Sequence, residues 1–239
     1  MGISKREQNN IEKAGFRYLE VGLHPGPEPK QWLCPQSRAP VSVEKAVLSH
    51  FETEGWRGYS GEGGLILNLI KAMSFKSLPA RARKAYVESL YLWQGRGPLE
   101  YLDGIDFLEN IRNADATQVS KNFHSMLGLG PPTTIEDGRT VYVEGSILDF
   151  FPGLEEWMAT ELLEVAGNEL LFRIAEIFAE DPFEYRRGWP DITIWRNDAV
   201  RFIEVKAPGD KLQKSQKVIA TKFAGPLGLD FRLASVIQL

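Results

Sequence analysis

The sequence of 239 residues predicts an α/β fold in which helices flank a central mixed β-sheet. Two apolar runs, 191–195 and 202–206, alternate as strands do, and the polar turn 196–198 joins them. Segments with helical spacing precede and follow this pair, and another strand is predicted over 230–237. A chain of this length holds one large domain or two small ones.

The N-terminal part is polar and rich in proline, so residues 1–41 are predicted to form an irregular arm with one strand near 16–21. Ser42 is a suitable N-cap for a helix over about 43–54, whose apolar residues keep helical spacing. Gly55 is expected to end that helix.

A glycine-rich segment over 55–64 follows and carries one carboxylate, Glu62. Glycines allow close backbone approach and unusual dihedral angles. The segment is therefore either a flexible turn or a loop or helix start that presents Glu62 to a site. The next helix places Leu65, Leu69 and Ala72 on one stripe.

The middle of the chain predicts a helical insertion over about 78–180, because apolar residues recur there at helical spacing. Its predicted parts are a helix from Leu78-Pro79, helices near 99–112 and 117–127, a loop over 128–132, a strand over 140–143 and a helical pair over 153–180.

The charge of −4 is distributed unevenly. Residues 1–96 carry +5, residues 97–185 carry −14 and residues 186–239 carry +5. Two basic ends suit a polyanion such as DNA, because a ligand meets one face and not an average. Uneven solvated surfaces explain the same counts about equally well.

Composition excludes several classes of protein. A single cysteine, Cys34, excludes an intrachain disulfide and a cysteine-based zinc site. No apolar run approaches the ~20 residues of a membrane-spanning helix, and the N-terminus has no signal-peptide core. We therefore expect an intracellular protein, in the cytoplasm or nucleoid of a bacterium or the nucleus of a eukaryote, with no membrane partner.

The strand pair near the C-terminus concentrates the candidate chemistry. Glu204 and Lys206 share one face of a strand, and pairing of the two strands would bring Asp191 close to Glu204. Two carboxylates and the Val205 carbonyl suit Mg²⁺, which prefers oxygen ligands. Lys206 is suited to orient or deprotonate an attacking water, although a structural ion pair explains the same residues.

A helix over about 211–224 is predicted after the turn 208–210. Gln216 could reach the site from this helix. Lys211, Lys214 and Lys217 give it a basic surface that is a candidate for DNA contacts.

The run Gly188-Trp189-Pro190-Asp191, followed by Glu204-Val205-Lys206 and Gln216, resembles the PD-(D/E)xK nuclease superfamily. Within it, the chain resembles the VRR-type nuclease domain, as found at the C-terminus of Fanconi-associated nucleases. Gly61-Glu62-Gly63 is similar to an upstream loop of that family. The resemblance implies a restriction-endonuclease-like fold over 42–239, with core motifs over 188–216.

The resemblance also implies roles for individual residues. Glu62, Asp191 and Glu204 would bind a divalent metal with the Val205 carbonyl, Lys206 would be the catalytic lysine, and Gln216 would support the site. We choose Glu62 over Glu44 as the upstream ligand. Basic residues of the family hold a 5′-phosphate, for which Arg186 and Arg187 are nearby candidates.

We therefore expect a Mg²⁺- or Mn²⁺-dependent, structure-selective DNA endonuclease or exonuclease that hydrolyses phosphodiester bonds at flaps or junctions from the 5′ side in DNA repair. One alternative is a Holliday-junction resolvase. Another is a DNA-binding module that has lost catalysis. The helical insertion favours a monomer over a dimer, by analogy with the family.

Overall fold

The computed structural model describes residues 5–93, 102–129, 133–136, 138–142 and 145–239. The chain divides into two compact units. The sheet unit comprises residues 1–63 and 187–239, and the helical unit comprises residues 64–186. The start of the predicted helix at 99, residues 130–132 of the predicted loop and residue 143 of the predicted strand lie outside the described residues.

The sheet unit contains a mixed sheet of five strands from the described part of the chain, in the order β1-β9-β8-β7-β4. The strands are β1 (Arg17–Leu23), β4 (Arg57–Ser60), β7 (Ile192–Arg196), β8 (Ala199–Lys206) and β9 (Asp230–Gln238). The pairs β1·β9 and β9·β8 are parallel, whereas β8·β7 and β7·β4 are antiparallel. The predicted strand pair and the predicted α/β fold are confirmed.

Helix α2 (Val43–Thr53) covers one face of the sheet. Its Ala46, Val47 and Phe51 are buried in the same cluster as Ile194 and Ile203 of the sheet. The Ser42 side chain accepts a hydrogen bond from the Lys45 N–H at 3.4 Å, which confirms the predicted N-cap. Burial of this apolar stripe fixes the helix on the sheet.

Aromatic side chains fill the other face of the sheet. The Trp189 ring lies 4.9 Å from that of Phe223 and 6.0 Å from that of Phe202, centroid to centroid. Phe223 belongs to a π-helical turn, Ala220–Ala224, between α9 (Lys214–Ile219) and α10 (Gly225–Leu227). The predicted helix over 211–224 therefore begins later than expected and changes its winding.

The structure differs from the irregular arm predicted over 1–41. A helix, α1 (Lys5–Lys13), precedes β1, and β1 pairs with β9 inside the main sheet. Val21 and Leu23 of β1 are buried, so this strand contributes to the core. A short hairpin follows, formed by β2 (Trp32–Leu33) and β3 (Pro40–Val41). The strand predicted near 16–21 is confirmed.

Strand β4 lies within the segment that was expected to be a loop. The glycine at position 58 serves close packing in a strand and does not indicate a loop. A Cβ at Gly58 would lie 2.7 Å from Ile194 Cγ2 and 2.8 Å from Leu48 Cδ1. Helix α2 and strand β7 thus approach this strand too closely for any side chain.

The helical unit begins at Gly64, before the predicted insertion at 78, and ends at Arg186, beyond the predicted 180. Its elements are α3 (Gly64–Met73), α4 (Val87–Trp93), α5 (Phe107–Arg112), α6 (Ala116–Met126), a hairpin of β5 (Thr133–Glu136) and β6 (Arg139–Tyr142), α7 (Glu156–Phe178) and α8 (Pro182–Tyr185). The helix expected from Leu78-Pro79 is a 3₁₀ turn, Ala80–Ala82. Gly167, with φ of 72°, kinks α7 into the predicted pair of helices.

The helical unit buries a lysine in its interior. Lys71 is fully buried, and its Nζ donates to the backbone carbonyls of Arg83 and Ala85. Burial lowers the pKa of Lys71 to about 7, against the opposing charge of Glu88. Among the described residues, no helix combines the length and the apolarity that a bilayer crossing requires.

Candidate active site

Asp191 stands immediately before β7, at the end of the sheet where β8 finishes. The β7·β8 ladder stops at Ile192 and Ile203, and the Asp191 side chain continues it. Its Oδ2 accepts a hydrogen bond of 2.8 Å from the Val205 N–H. Its backbone carbonyl accepts from the Gly61 N–H at 2.8 Å, so the glycine-rich segment and the second strand are both anchored at Asp191.

Glu204 is the buried carboxylate of the site, with an exposed fraction of 1%. Its Oε1 accepts from Gln216 Nε2 at 2.6 Å and lies 2.7 Å from Lys206 Nζ. Its Oε2 is buried and has no hydrogen-bond partner within the described part of the chain. A buried carboxylate oxygen without a partner is costly, so this atom is a candidate ligand for a cation.

Lys206 ends β8 and points to the same face as Glu204. Its Nζ lies 3.3 Å from Gln216 Oε1, and that oxygen also accepts from the Gln213 N–H at 2.7 Å. Gln216 is the N3 residue of a capping box at the start of α9. The helix start therefore fixes the amide of Gln216, and that amide in turn orients Lys206 and Glu204.

The two carboxyl groups have raised pKa values. Burial raises the pKa of Glu204 to about 8, and the charge of Asp191 raises it further, while Lys206 opposes this. Burial also raises the pKa of Asp191, and the Val205 N–H opposes this. Both shifts favour the protonated forms of the two carboxyl groups, and a bound cation would oppose them.

The oxygens present suit Mg²⁺ or Mn²⁺. The N–H and C=O of one strand residue lie on the same edge, so the Val205 carbonyl faces Asp191, as its N–H does. Asp191, Glu204 Oε2 and this carbonyl are the candidate donors. Within the described ranges, no group of three His, Cys, Asp or Glu side chains is close enough to hold a metal. Two carboxylates suffice for Mg²⁺, which retains waters and takes phosphate oxygens from its substrate.

Glu62 lies near this pair but does not join it in a cluster of three carboxylates. It is exposed, with φ of 34°, in the turn after β4. The neighbouring Gly63 has φ of 76°, and a Cβ there would lie 2.6 Å from Trp189 Cβ, so the turn requires glycine. The charge of Glu62 raises the pKa of Asp191 slightly.

Glu44, which we did not choose, influences Asp191 more strongly than Glu62 does. It occupies the first turn of α2, and its charge is the largest among the carboxylates that raise the pKa of Asp191. Its place at the start of the helix that covers the sheet was a signal that this residue points towards the strand ends.

The residues that were predicted to contact DNA lie in different parts of the structure. Lys206, Lys211 and Lys217 line one cavity, and Lys214 is exposed at the start of α9. Arg187 is exposed in the sheet unit. In the helical unit, Arg186 Nη1 lies 2.7 Å from Glu88 Oε1, and its guanidinium lies 4.3 Å from the centre of the Phe183 ring. Its charge is therefore already offset.

Comparison with known families agrees with the resemblance seen in the sequence. Residues 151–237 match the model of the VRR-NUC domain. The matched stretch includes Asp191, Glu204, Lys206 and Gln216, whereas Glu44 and Glu62 precede it. The resemblance to a VRR-type nuclease domain is confirmed for these residues. No curated protein sequence matches the chain.

Solved structures share the fold. A crystal structure of paFAN1 bound to 5′-flap DNA with a 2-nucleotide flap and a gap is similar with a TM-score of 0.61 and 18% identity, over 92% of this chain and 37% of that chain. A second, with a 1-nucleotide flap and a gap, has a TM-score of 0.49 and 23% identity, over 94% of this chain and 38% of that one. This chain thus spans well under half the length of the proteins in these structures. The first likeness confirms the mixed sheet flanked by helices as a known fold.

Proposed function

We propose that this protein is a divalent-metal-dependent DNA nuclease that hydrolyses phosphodiester bonds at flaps or junctions. The observation that carries the proposal is the convergence of Asp191, Glu204 and Lys206 at the ends of two paired strands. The unpartnered Glu204 Oε2 supports a cation at this position. The match of the surrounding residues to the VRR-NUC domain supports a nuclease.

In this proposal Asp191, Glu204 and the Val205 carbonyl hold Mg²⁺ or Mn²⁺. A bound divalent cation lowers the pKa of a water and offsets charge on the scissile phosphate. Binding requires both carboxylates to be ionised, so a cation that binds there would displace any proton that they hold. The Val205 N–H holds Asp191 in place, and Gln216 holds Glu204.

Lys206 would supply a positive charge in addition to that of the metal ion. Its Nζ, oriented by Glu204 and Gln216, is suited to hold a proton and to donate hydrogen bonds to a phosphate oxygen. Release of that proton would allow the same nitrogen to accept one from the attacking water. We assign Lys206 as the catalytic lysine on this basis.

DNA with a 5′ flap is the proposed substrate, since the paFAN1 structure that shares this fold is described as bound to 5′-flap DNA. We propose a role in DNA repair and action as a monomer. The exposed lysines Lys211, Lys214 and Lys217 are proposed to contact the phosphate backbone beside the site.

The deciding experiment uses a gapped 5′-flap DNA with Mn²⁺ and compares the wild type with Lys206→Met. We expect cleavage to fall by about 10²- to 10⁴-fold, because a positioned proton-transfer group is lost. Binding in chelator should change by less than about twofold, since one ammonium is a small part of the phosphate footprint. Lys76→Met, at an exposed lysine of the helical unit, is the matched control and should cut normally.

Two results would contradict the proposal. Cleavage that survives Asp191→Asn would mean that the site lies elsewhere. Binding without cleavage under Mg²⁺ and Mn²⁺ would indicate a DNA-binding module. A four-way junction in the same assay tests the resolvase alternative, which predicts paired cuts across the junction and little flap cleavage.

A further inference from the structure

A second charged feature lies at the other end of the sheet. Four arginines, here called the arginine cluster, occupy strand ends there: Arg17 begins β1, Arg196 ends β7, and Arg201 and Arg232 lie near the starts of β8 and β9. Because β1, β8 and β9 are parallel and β7 is antiparallel to them, all four lie at the same end. The alternation of strand side chains places them on one face.

The carboxylate of Asp230 lies close to three of these guanidinium groups. Asp230 is contacted by Arg232 Nη2 at 2.8 Å, by Arg201 Nε at 3.0 Å and by Arg17 Nη1 at 3.7 Å. Arg232 also donates from Nε to both Asp230 oxygens at 3.1 Å. Three guanidinium groups thus share the two oxygens of one carboxylate, so the cations exceed the acceptors that Asp230 supplies.

The Trp56 ring and a backbone carbonyl also contact guanidinium groups of the cluster. The Arg201 and Arg196 guanidinium carbons lie 4.1 Å and 4.6 Å from the centre of the Trp56 ring. Arg196 Nη1 also donates to the Glu54 carbonyl at 2.7 Å. A ring face offsets the charge of a cation less completely than a carboxylate does. Counted over the four arginines and Asp230 alone, the net charge is +3.

Repulsion between the arginines of the cluster affects the pKa of Arg201. Burial lowers the pKa of this guanidinium, the charge of Arg232 lowers it further, and Asp230 opposes both. Side chains of Arg201 and Arg232 are only 25% and 23% exposed, which makes their charges strong and poorly screened. Arg17, at 78% exposure, extends the cluster into solvent.

From this geometry we infer that the arginine cluster is a binding site for the phosphate backbone of DNA, separate from the residues that perform the chemistry. Guanidinium groups match phosphate oxygens with paired hydrogen bonds. The cluster extends over the adjacent strands β8, β9 and β1, a width of about 10 Å, which suits successive phosphates better than one small anion.

The position of the cluster defines its part in substrate binding. Arg201 lies five positions before Lys206 in β8, about 17 Å away along the strand. Because alternate side chains of a strand point to opposite faces, Arg201 and Lys206 lie on opposite faces of the sheet. The cluster would therefore hold a part of the DNA that is remote from the cut, and this assignment rests on the proposed nuclease function.

The test measures DNA binding in chelator by fluorescence anisotropy, across about 50 to 200 mM salt. Arg17→Gln should weaken binding by about fivefold and reduce the slope of log affinity against log salt by about 1, because one phosphate contact is lost. Arg38→Gln, an exposed arginine in the loop between β2 and β3, removes the same charge elsewhere and should change neither value.

Asp230→Asn provides the opposite test. A purely structural cluster would lose stability without this aspartate and gain no affinity, whereas a phosphate site would bind DNA about two- to fivefold more tightly with a steeper salt slope. If Asp230→Asn fails to fold, Arg17→Gln decides alone, because the exposed side chain of Arg17 contributes little to the core.

The outcomes separate this inference from the proposed nuclease function. Normal cleavage by the wild type with Mn²⁺, together with unchanged binding by Arg17→Gln, would overturn the phosphate site and leave the nuclease standing. Binding that depends on Arg17, with no cleavage under any metal, would support the site and overturn the nuclease. A wild type that does not bind DNA would overturn both.

Discussion

Glu204 combines two properties that oppose each other in a folded protein. The side chain is buried, yet one of its oxygens has no partner among the described residues. Lys206 and Gln216 both contact the other oxygen. The uncompensated atom destabilises the metal-free protein and is the reason that a cation is expected there.

Glu204→Gln should remove a pH-dependent loss of stability. The pKa of Glu204 is raised from 4.5 to about 8, so the protonated form stabilises the fold, and that stability is lost as pH rises through this window. The metal-free wild type should lose on the order of a few kcal/mol between pH of about 4.5 and about 8, and the variant should lose much less. Urea denaturation in chelator measures this difference.

Glu20→Gln, at an exposed carboxylate of β1, is the control and should follow the wild type across the same pH range. Parallel curves for Glu204→Gln and the wild type would contradict the raised pKa of Glu204.

The upstream carboxylate is tested by comparing Glu44→Gln with Glu62→Gln. We expect Glu44→Gln to lower cleavage at limiting Mn²⁺ at least as strongly as Glu62→Gln, because its charge acts more strongly on Asp191. A loss of about 10- to 100-fold in metal affinity is typical when a supporting carboxylate is removed. Full activity of Glu44→Gln with an inactive Glu62→Gln would identify Glu62 as the upstream carboxylate, as the sequence predicts.

Sequence reasoning located the residues that are neighbours in two adjacent strands. Asp191, Glu204 and Lys206 follow from strand alternation and one short turn, which are local properties. The influence of Glu44 and the missing partner of Glu204 Oε2 depend on how a distant helix packs on the sheet. No local pattern reports such packing, so these two features required the structure.

Among the elements, α9 has the closest connection to the chemistry. Its start is held against Gly188, where φ is 82° and a Cβ would lie 2.4 Å from the backbone carbon of Ser215. This close approach places the neighbouring Gln216 within reach of Glu204. The sequence predicted the helix and its glutamine, but not the π-helical turn that follows, because no residue pattern marks the change in winding.

Gly188→Ala should therefore weaken both stability and cleavage. The positive φ and the backbone clash together should cost about 2–4 kcal/mol, since neither can relax without moving α9. Displacement of Gln216 should lower the cleavage rate by about tenfold or more. Thermal denaturation and single-turnover cleavage measure the two effects.

Gly225→Ala is the matched control in the same region. That glycine is helical, with φ of −61°, and a Cβ there would have no heavy atom within 4 Å. It should leave cleavage unchanged and change stability by less than about 1 kcal/mol, because the gain from replacing glycine is opposed by Pro226, which disfavours a helical residue with a Cβ before it. Equal effects of the two substitutions would refute the close-approach explanation.

At the scale of the whole molecule, the two units carry net charges of opposite sign. The sheet unit has 17 basic and 13 acidic residues, or +4, and the helical unit has 11 and 19, or −8. The three blocks of charge in the sequence indicated this asymmetry. They did not show that the basic N-terminal block contributes β1 and β4 to the same sheet as the C-terminal strands, because pairing at such separation leaves no local trace.

Lys71 should give the helical unit a pH dependence opposite to that of Glu204. Burial lowers the pKa of Lys71 from 10.5 to about 7, so the unfolded chain binds more protons between these values and stability rises with pH across that window. Lys71→Met should remove a rise on the order of 3–5 kcal/mol, as measured by hydrogen exchange in α3. An unchanged pH profile in Lys71→Met would contradict the buried, shifted lysine.

The order of strands in the sheet determines when the protein can become active during its synthesis. In the described sheet, β1 pairs with β9 and β4 pairs with β7, so both early strands emerge from the ribosome long before their partners. At about 5–20 residues per second, β1 waits roughly 10 to 40 s for β9. The helical unit, with its uninterrupted sequence, emerges completely during that interval. The five-stranded sheet that carries the proposed catalytic residues therefore stays incomplete in the nascent chain until translation reaches β9.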